Sequence, residues 1–168
     1  MVTNICNFLE YFLVPENGLK KTEKDDILRK RVALAFIFSY IWSIGGSFKI
    51  EAHPMLDVLI KDLFPKYQIP PLDTVFDYYI DMKQMKFTHW SKLVPAFEFN
   101  PADPYFSILV PTVDTTKYQT LLEYLIDIKK PVFFTGETGV GKSVIIMKYL
   151  QENKEKKNLL PINLNFSA

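Results

Sequence analysis

The chain is poor in net charge, cysteine, arginine and long apolar runs. Its 20 basic and 19 acidic residues leave a formal charge of +1. A nucleic-acid-binding surface usually carries a basic excess on one face, so this balance points away from a nucleic-acid partner. Cys6 is the single cysteine. It excludes an internal disulfide, fits a reducing compartment, and reads most simply as a small buried or half-buried hydrophobe. A secretory leader is not expected, because the first lysine is Lys20 and Glu10 interrupts the apolar start. The longest apolar stretch, residues 32–44, is 13 residues with two serines. A bilayer span takes roughly 20, so this stretch reads as a core helix and no membrane partner is expected. His53 and His89 lie far apart with no cysteine or second histidine at ligand spacing, so they suggest no metal centre. No Ser/His/Asp or Cys/His arrangement stands out. The carboxylates are scattered, and nothing marks an acid/base pair.

What is present can fill a core. At 48% hydrophobic and 15% aromatic, the 168 residues are expected to fold as one domain or as pieces of two. Ile5, Phe8, Leu9, Phe12 and Leu13 follow the i, i+3, i+4 spacing of one apolar helix face. Pro15 and Gly18 should end that helix. Residues 20–31 mix both charge signs and read as a solvated face or loop. A second helix is expected from about Asp25, where Asp25 and Asp26 suit the positive end of the dipole, to Ser43. It becomes apolar on nearly every side after Val32, so it should be buried. Gly45 and Gly46 should stop it.

Met55, Leu56, Leu59, Ile60 and Leu63 suggest a short helix after Pro54. Pro65, Pro70 and Pro71 then break the chain. The aromatic-rich residues 73–90 allow either strand pieces or packing against a neighbour. Residues 100–104 read as a turn-rich linker, and 105–110 as a short apolar run ending at Pro111. Thr112 or Asp114 should cap a helix with Tyr118, Leu121, Leu122, Leu125 and Ile128 on its apolar face. Lys129, Lys130 and Pro131 close it.

Next comes the one motif that carries chemistry. Gly136, Glu137, Thr138, Gly139, Val140, Gly141, Lys142 and Ser143 fit G-x-x-x-x-G-K-[ST], the Walker A phosphate loop. Residues 132–135 before it read as a short buried strand. Residues 142–151 after it read as a helix with Ile145, Ile146, Tyr149 and Leu150 inward. Strand, loop and helix in that order are the setting a phosphate loop requires. Glycines let the backbone adopt positive φ and approach phosphate oxygens closely. Successive N–H groups form an anion nest, and the new helix adds its unpaired donors and dipole. Lys142 supplies a charge to the terminal phosphates, and the Ser143 hydroxyl suits Mg²⁺. Residues 152–157 are charged. Ile162, Leu164 and Phe166 then alternate with polar residues, as a second strand would.

A P-loop hydrolase also needs an acidic residue at the end of a later apolar strand. No such strand follows Ser143 in these 168 residues. The Val58-Leu59-Ile60-Lys61-Asp62 and Leu125-Ile126-Asp127 segments are poor substitutes. The first has a lysine in its run, and the second sits in a helical pattern. The only arginines are Arg29 and Arg31, both before the loop, so no arginine finger is expected after it. The sequence by itself is expected to hydrolyse little or no ATP.

Several segments together resemble the dynein heavy chains. Ile108 to Thr115, a helix, then Pro131 to Ser143 resemble the start of that family's third ATPase module. Phe36 to Gly46, with Trp42-Ser43-Ile44-Gly45-Gly46, resembles the helix that ends the second module. Val75-Phe76-Asp77-Tyr78-Tyr79 and His89-Trp90 resemble the connecting segment, and Asn165 to Ala168 the strand that runs on in this family. The Glu-Thr-Gly-Val-Gly-Lys-Ser form of the loop leans toward axonemal, inner-arm-like members.

The resemblance implies an α/β fold: a partial AAA+ P-loop fold preceded by a mainly helical segment of the neighbouring module. It places residues 1–104 at the end of one module and 105–168 at the start of the next. It implies ATP or ADP with Mg²⁺ as ligands, held by Gly136 to Ser143, with Val110, Pro111 and Thr112 beside the adenine. It also implies the remaining AAA+ modules as partners. Microtubules and the intermediate and light chains would be reached through the parent motor, in the cytoplasm or cytoskeleton, with a ciliary or flagellar axoneme favoured. On this reading the sequence is a fragment whose nucleotide regulates the motor ring. A non-catalytic nucleotide-binding interaction module and a small P-loop kinase are the alternatives. The kinase is weakened by a loop that stands far from the N-terminus.

Overall fold

A computed structural model of the chain describes residues 2–17, 19, 24–97 and 109–164. The chain runs through α1 (Val2–Phe12), α2 (Asp25–Ile44), α3 (His53–Leu63), β1 (Tyr78–Asp81), β2 (Lys86–His89), α4 (Val113–Asp127) and α5 (Lys142–Asn153), with short 3-10 turns between several of them. Met1, Gly18 and residues 20–23, 98–108 and 165–168 lie outside the described residues. So do the expected linker at 100–104, most of the apolar run at 105–110, and the end of the second expected strand.

The expected core helix is α2. Leu34, Ala35, Ile37, Phe38 and Ile41 are all buried. Full burial of one such large side chain contributes about 1.5–3 kcal/mol. Phe8 and Phe12 of α1 pack edge-on against Phe38. Trp90 is completely buried beside Phe38 and Trp42 of α2, and its indole N–H donates to Phe76 O at 3.0 Å. A buried indole needs such a partner.

Residues 73–90 resolve the strand-or-packing question in favour of both. β1 and β2 form an antiparallel hairpin, with Tyr78 opposite His89 and Ile80 opposite Phe87. Ile80 and Phe87 face the core. Thr74 and Asp77 make a reciprocal capping box just before β1. Asp57 of α3 accepts from Val75 N at 2.7 Å and pairs with Lys61 at 2.9 Å, which fixes α3 against the same loop.

Two expectations need correction. Arg31 does not belong to a solvated face. It is buried, and Nη1 donates to Met82 O across the β1–β2 turn. Cys6 is exposed rather than buried, because it lies on the outward side of α1. As expected, Gly45 caps the end of α2, at Ile44. Its φ is −64°, an ordinary helical value. Glycine is needed there because a Cβ would stand 2.5 Å from the Phe76 ring.

The α/β expectation holds in a coarser form. The described residues are mainly helical with one small antiparallel sheet. Residues 132–135 are not assigned to a strand, and neither are 162–164. A strand is defined by hydrogen bonds to a neighbour, and the only sheet among the described residues is β1–β2, elsewhere in the fold. Phe133 accordingly stands 89% exposed instead of buried.

Candidate functional site

The glycine loop lies between residues 132–135 and α5, and two neighbouring structures fix its ends. Upstream, α4 begins at a reciprocal capping box: Thr115 N donates to Thr112 Oγ1 at 3.1 Å, and Thr112 N donates to Thr115 Oγ1 at 2.8 Å. Thr112, one of the two expected caps, is therefore the N-cap. Tyr118 of α4 meets Phe134 edge-on with centroids 6.4 Å apart, which positions the residues leading into the loop. Downstream, Ile145 and Tyr149 bury the inner side of α5.

The loop itself requires glycine. Gly136, Gly139 and Gly141 have φ of 146°, 88° and 85°, values that L side chains rarely adopt. At Gly139 and Gly141 an added Cβ would meet no atom within 4 Å. The constraint there is conformational rather than steric, and the backbone is open to approach. Gly141 is the N-cap of α5 in a left-handed conformation. The first amides of any helix lack acceptors within it, and here those amides begin at Lys142. Lys142 Nζ reaches back over the loop and donates to Gly136 O at 3.0 Å and to Glu137 O. Thus the amine, the three left-handed glycines and the helix start occupy one place, with Ser143 exposed beside them. That arrangement fits a phosphate chain: N–H donors, a positive dipole end and one cation on a backbone an anion can approach.

The second set of expected residues lies elsewhere along α5. Pro111 lines a cavity of about 210 Å³ together with Thr115, Gln119, Lys148 and Glu152. Lys148 Nζ donates to Leu109 O at 3.4 Å. Val110 is exposed. The contacts of the 109–112 segment thus run to the middle and far end of α5 rather than to the glycine loop at its start.

Two connections have no sequence pattern to reveal them. Lys157, just beyond α5, donates to Glu123 Oε1 at 3.0 Å, to Tyr149 Oη at 3.1 Å and to Asp127 Oδ1. Partial burial alone would pull its pKa down. The hydrogen bonds to Asp127, Glu123 and Tyr149 prevail and hold it above an ordinary lysine. Gln119 Nε2 adds a 2.9 Å bond to Glu152. These ties join α5 to α4. The only sequence signal is a lysine in a charged run, which reads as solvated.

Comparison with known proteins places both halves. Residues 1–92 match the family model of the dynein heavy chain AAA lid domain, and residues 97–168 match that of the P-loop containing dynein motor region. Dynein axonemal heavy chain 6 of Homo sapiens is 34% identical over 170 residues, covering 99% of this chain and 4% of that protein. The ciliary dynein beta chain of Heliocidaris crassispina is 33% identical over 172 residues, with the same 99% and 4% coverage. The flagellar outer-arm dynein alpha chain of Chlamydomonas reinhardtii is 28% identical over 169 residues, covering 98% and 4%. The chain therefore spans about 4% of the length of the relatives it matches.

Proposed function

Because the chain belongs to the dynein heavy chain family, we propose that it serves as a nucleotide-binding segment of a microtubule motor ATPase. Gly136, Glu137, Thr138, Gly139, Val140, Gly141, Lys142 and Ser143 hold the phosphates of ATP or ADP. The single observation that carries this reading is Lys142 Nζ lying against Gly136 O and Glu137 O within a loop of three left-handed glycines. A phosphate replaces those two neutral carbonyl acceptors with anionic oxygens, adding ion-pair attraction to hydrogen bonds that the lysine charge already strengthens. The Ser143 hydroxyl takes one Mg²⁺ position.

Residues 1–104 belong to the end of one AAA+ module and 105–168 to the start of the next, the third by resemblance. Nucleotide at this site regulates the motor ring rather than driving its main stroke. By resemblance to the family, Val110, Pro111 and Thr112 flank the adenine. The other modules of the heavy chain are its immediate partners, and microtubules and smaller dynein subunits are reached through the whole motor. Axonemal and ciliary relatives at 33–34% identity support a ciliary or flagellar setting.

The test is calorimetric titration of the protein with ADP or ATP, with Mg²⁺ and then with excess EDTA. The expected result is saturable binding that weakens without Mg²⁺, with Ser143→Ala abolishing the difference. Binding indifferent to Mg²⁺ in the wild-type protein contradicts the role given to Ser143.

A further inference from the structure

α5 carries the loop amides at its first turn, yet little holds that turn in place. Gly141, the N-cap, has no side chain to brace it. Residues 132–135, on the other side of the loop, pair with no strand among the described residues. Ile145 and Tyr149 are the buried residues of α5, two anchors one turn apart on one face. A helix held at two such points can still tilt about them. Twelve residues of helix span about 18 Å, so an angle fixed at the far end is felt at the first turn. The far end is where polar ties gather. Gln119, Glu123 and Asp127 recur every fourth residue along α4 and so form one stripe. Gln119 Nε2 donates to Glu152 at 2.9 Å, and Lys157 Nζ donates to Glu123 Oε1 and Asp127 Oδ1. The same amine donates to Tyr149 Oη at 3.1 Å and lies 5.5 Å from the centre of that ring. Lys157 thus grips a buried anchor of α5 and two positions of α4 at once.

We infer that Lys157 is a positioning residue for the phosphate loop: by clamping Tyr149 to Glu123 and Asp127 it sets the angle of α5 on α4, and so aims Lys142 and the first amides of α5 at the phosphates. Lys157 lies beyond the opposite end of α5 from the loop, so it acts through the helix and not on the ligand. Direction matters because hydrogen bonds weaken steeply away from linear, and a working site holds its donors to within about 10–20°. This role rests on the nucleotide reading of Gly136 to Ser143. Long-range charge is the other way Lys157 could affect an anion, and it has a different signature. Through charge alone, Lys157 attracts the ligand while Glu123 and Asp127 repel it. Through position, all three act in the same direction.

The test is calorimetric titration with Mg-ADP of the wild type, Lys157→Met, the double variant Glu123→Gln/Asp127→Asn, and Gly45→Ala. Circular dichroism sets a temperature at which all four are folded. Gly45→Ala is the control for lost stability alone, because its strain falls on Phe76 in the lid half. Residues that touch no ligand can still shift its binding through the packing between them, so Lys157→Met should weaken Mg-ADP by about 3- to 30-fold. The double variant should weaken it as well, although it removes two negative charges, and Gly45→Ala should bind as the wild type does. Unchanged affinity in Lys157→Met overturns the inference. So does tighter binding by the double variant, which is the signature of charge alone, or an equal loss in Gly45→Ala, which is that of stability alone. In each of those cases a wild type that binds, and loses binding on Lys142→Ala, leaves the nucleotide reading intact. A wild type that does not bind Mg-ADP overturns both.

Discussion

The Tyr124 ring lies on the Tyr11 ring with centroids 4.2 Å apart and planes 23° apart. Phe12 and Phe38 approach Tyr124 from the sides. This stack joins α4, which leads into the glycine loop, to α1, in the lid half of the chain. Lys130 adds a 2.9 Å ion pair to Glu10 beside it. Tyr124→Ala should cost about 3 kcal/mol, the usual loss for deleting a well-packed aromatic ring. Tyr124→Phe, which keeps the stack, should cost far less. Urea unfolding of both variants measures the difference.

The same stack should make the protein sensitive to alkali. Burial, reinforced by the nearby Asp127 and Glu123 carboxylates, pushes the Tyr11 phenol from 10.0 up to about 12. Its folded pKa exceeds its unfolded one, so the unfolded chain loses this proton first as pH rises. Stability from Tyr11 is then fully present below pH 10 and falls between pH 10 and about 12. Tyr11→Phe should flatten that part of the stability–pH curve, as read from chemical unfolding at each pH.

Lys157 holds Glu123, Asp127 and Tyr149 together. Lys157→Met leaves the two carboxylates without their cation. The expected loss is about 1 kcal/mol, small because the group is partly solvated. Added salt should weaken the wild-type protein more than the variant. Equal salt dependence in the two proteins, followed by thermal unfolding, argues against an electrostatic tie.

Gly45 and Gly46 should respond differently to alanine. At Gly45 the new Cβ meets two Phe76 ring atoms at 2.5 and 2.6 Å, and at Gly46 its nearest neighbour is Trp42 at 3.4 Å. Alanine gains up to about 1 kcal/mol of helix propensity, but overpacking a buried site costs about 1–3 kcal/mol. Gly45→Ala should therefore destabilise, while Gly46→Ala stays near neutral. Denaturant midpoints of the two variants give the comparison.

The helices were legible because 3.6-residue periodicity and capping are local. Phe8 and Phe12 marked α1, and Thr112 marked the start of α4. What eluded the sequence depends on partners distant along the chain. Residues 132–135 have strand composition, but strand formation needs a neighbouring strand. Arg31 is buried because Met82 O, 51 positions away, accepts from it. The Gly45 requirement comes from the Phe76 ring, 31 residues on. In the loop, the positive-φ backbone at Gly136, Gly139 and Gly141 was readable because that conformational demand is written in the glycines. The placement of Pro111 against Lys148 and Glu152 was not, because it depends on how α4 and α5 pack.

The central claim is that Lys142 and its glycine loop bind nucleotide phosphates. Equilibrium binding of ATP with Mg²⁺ to wild-type and Lys142→Ala protein tests it most directly. Removing a charged hydrogen-bond donor costs about 1.5–3 kcal/mol, so Lys142→Ala should weaken binding by roughly 10- to 100-fold. Equal affinity of the two proteins for ATP, or no saturable binding by the wild type, contradicts the account.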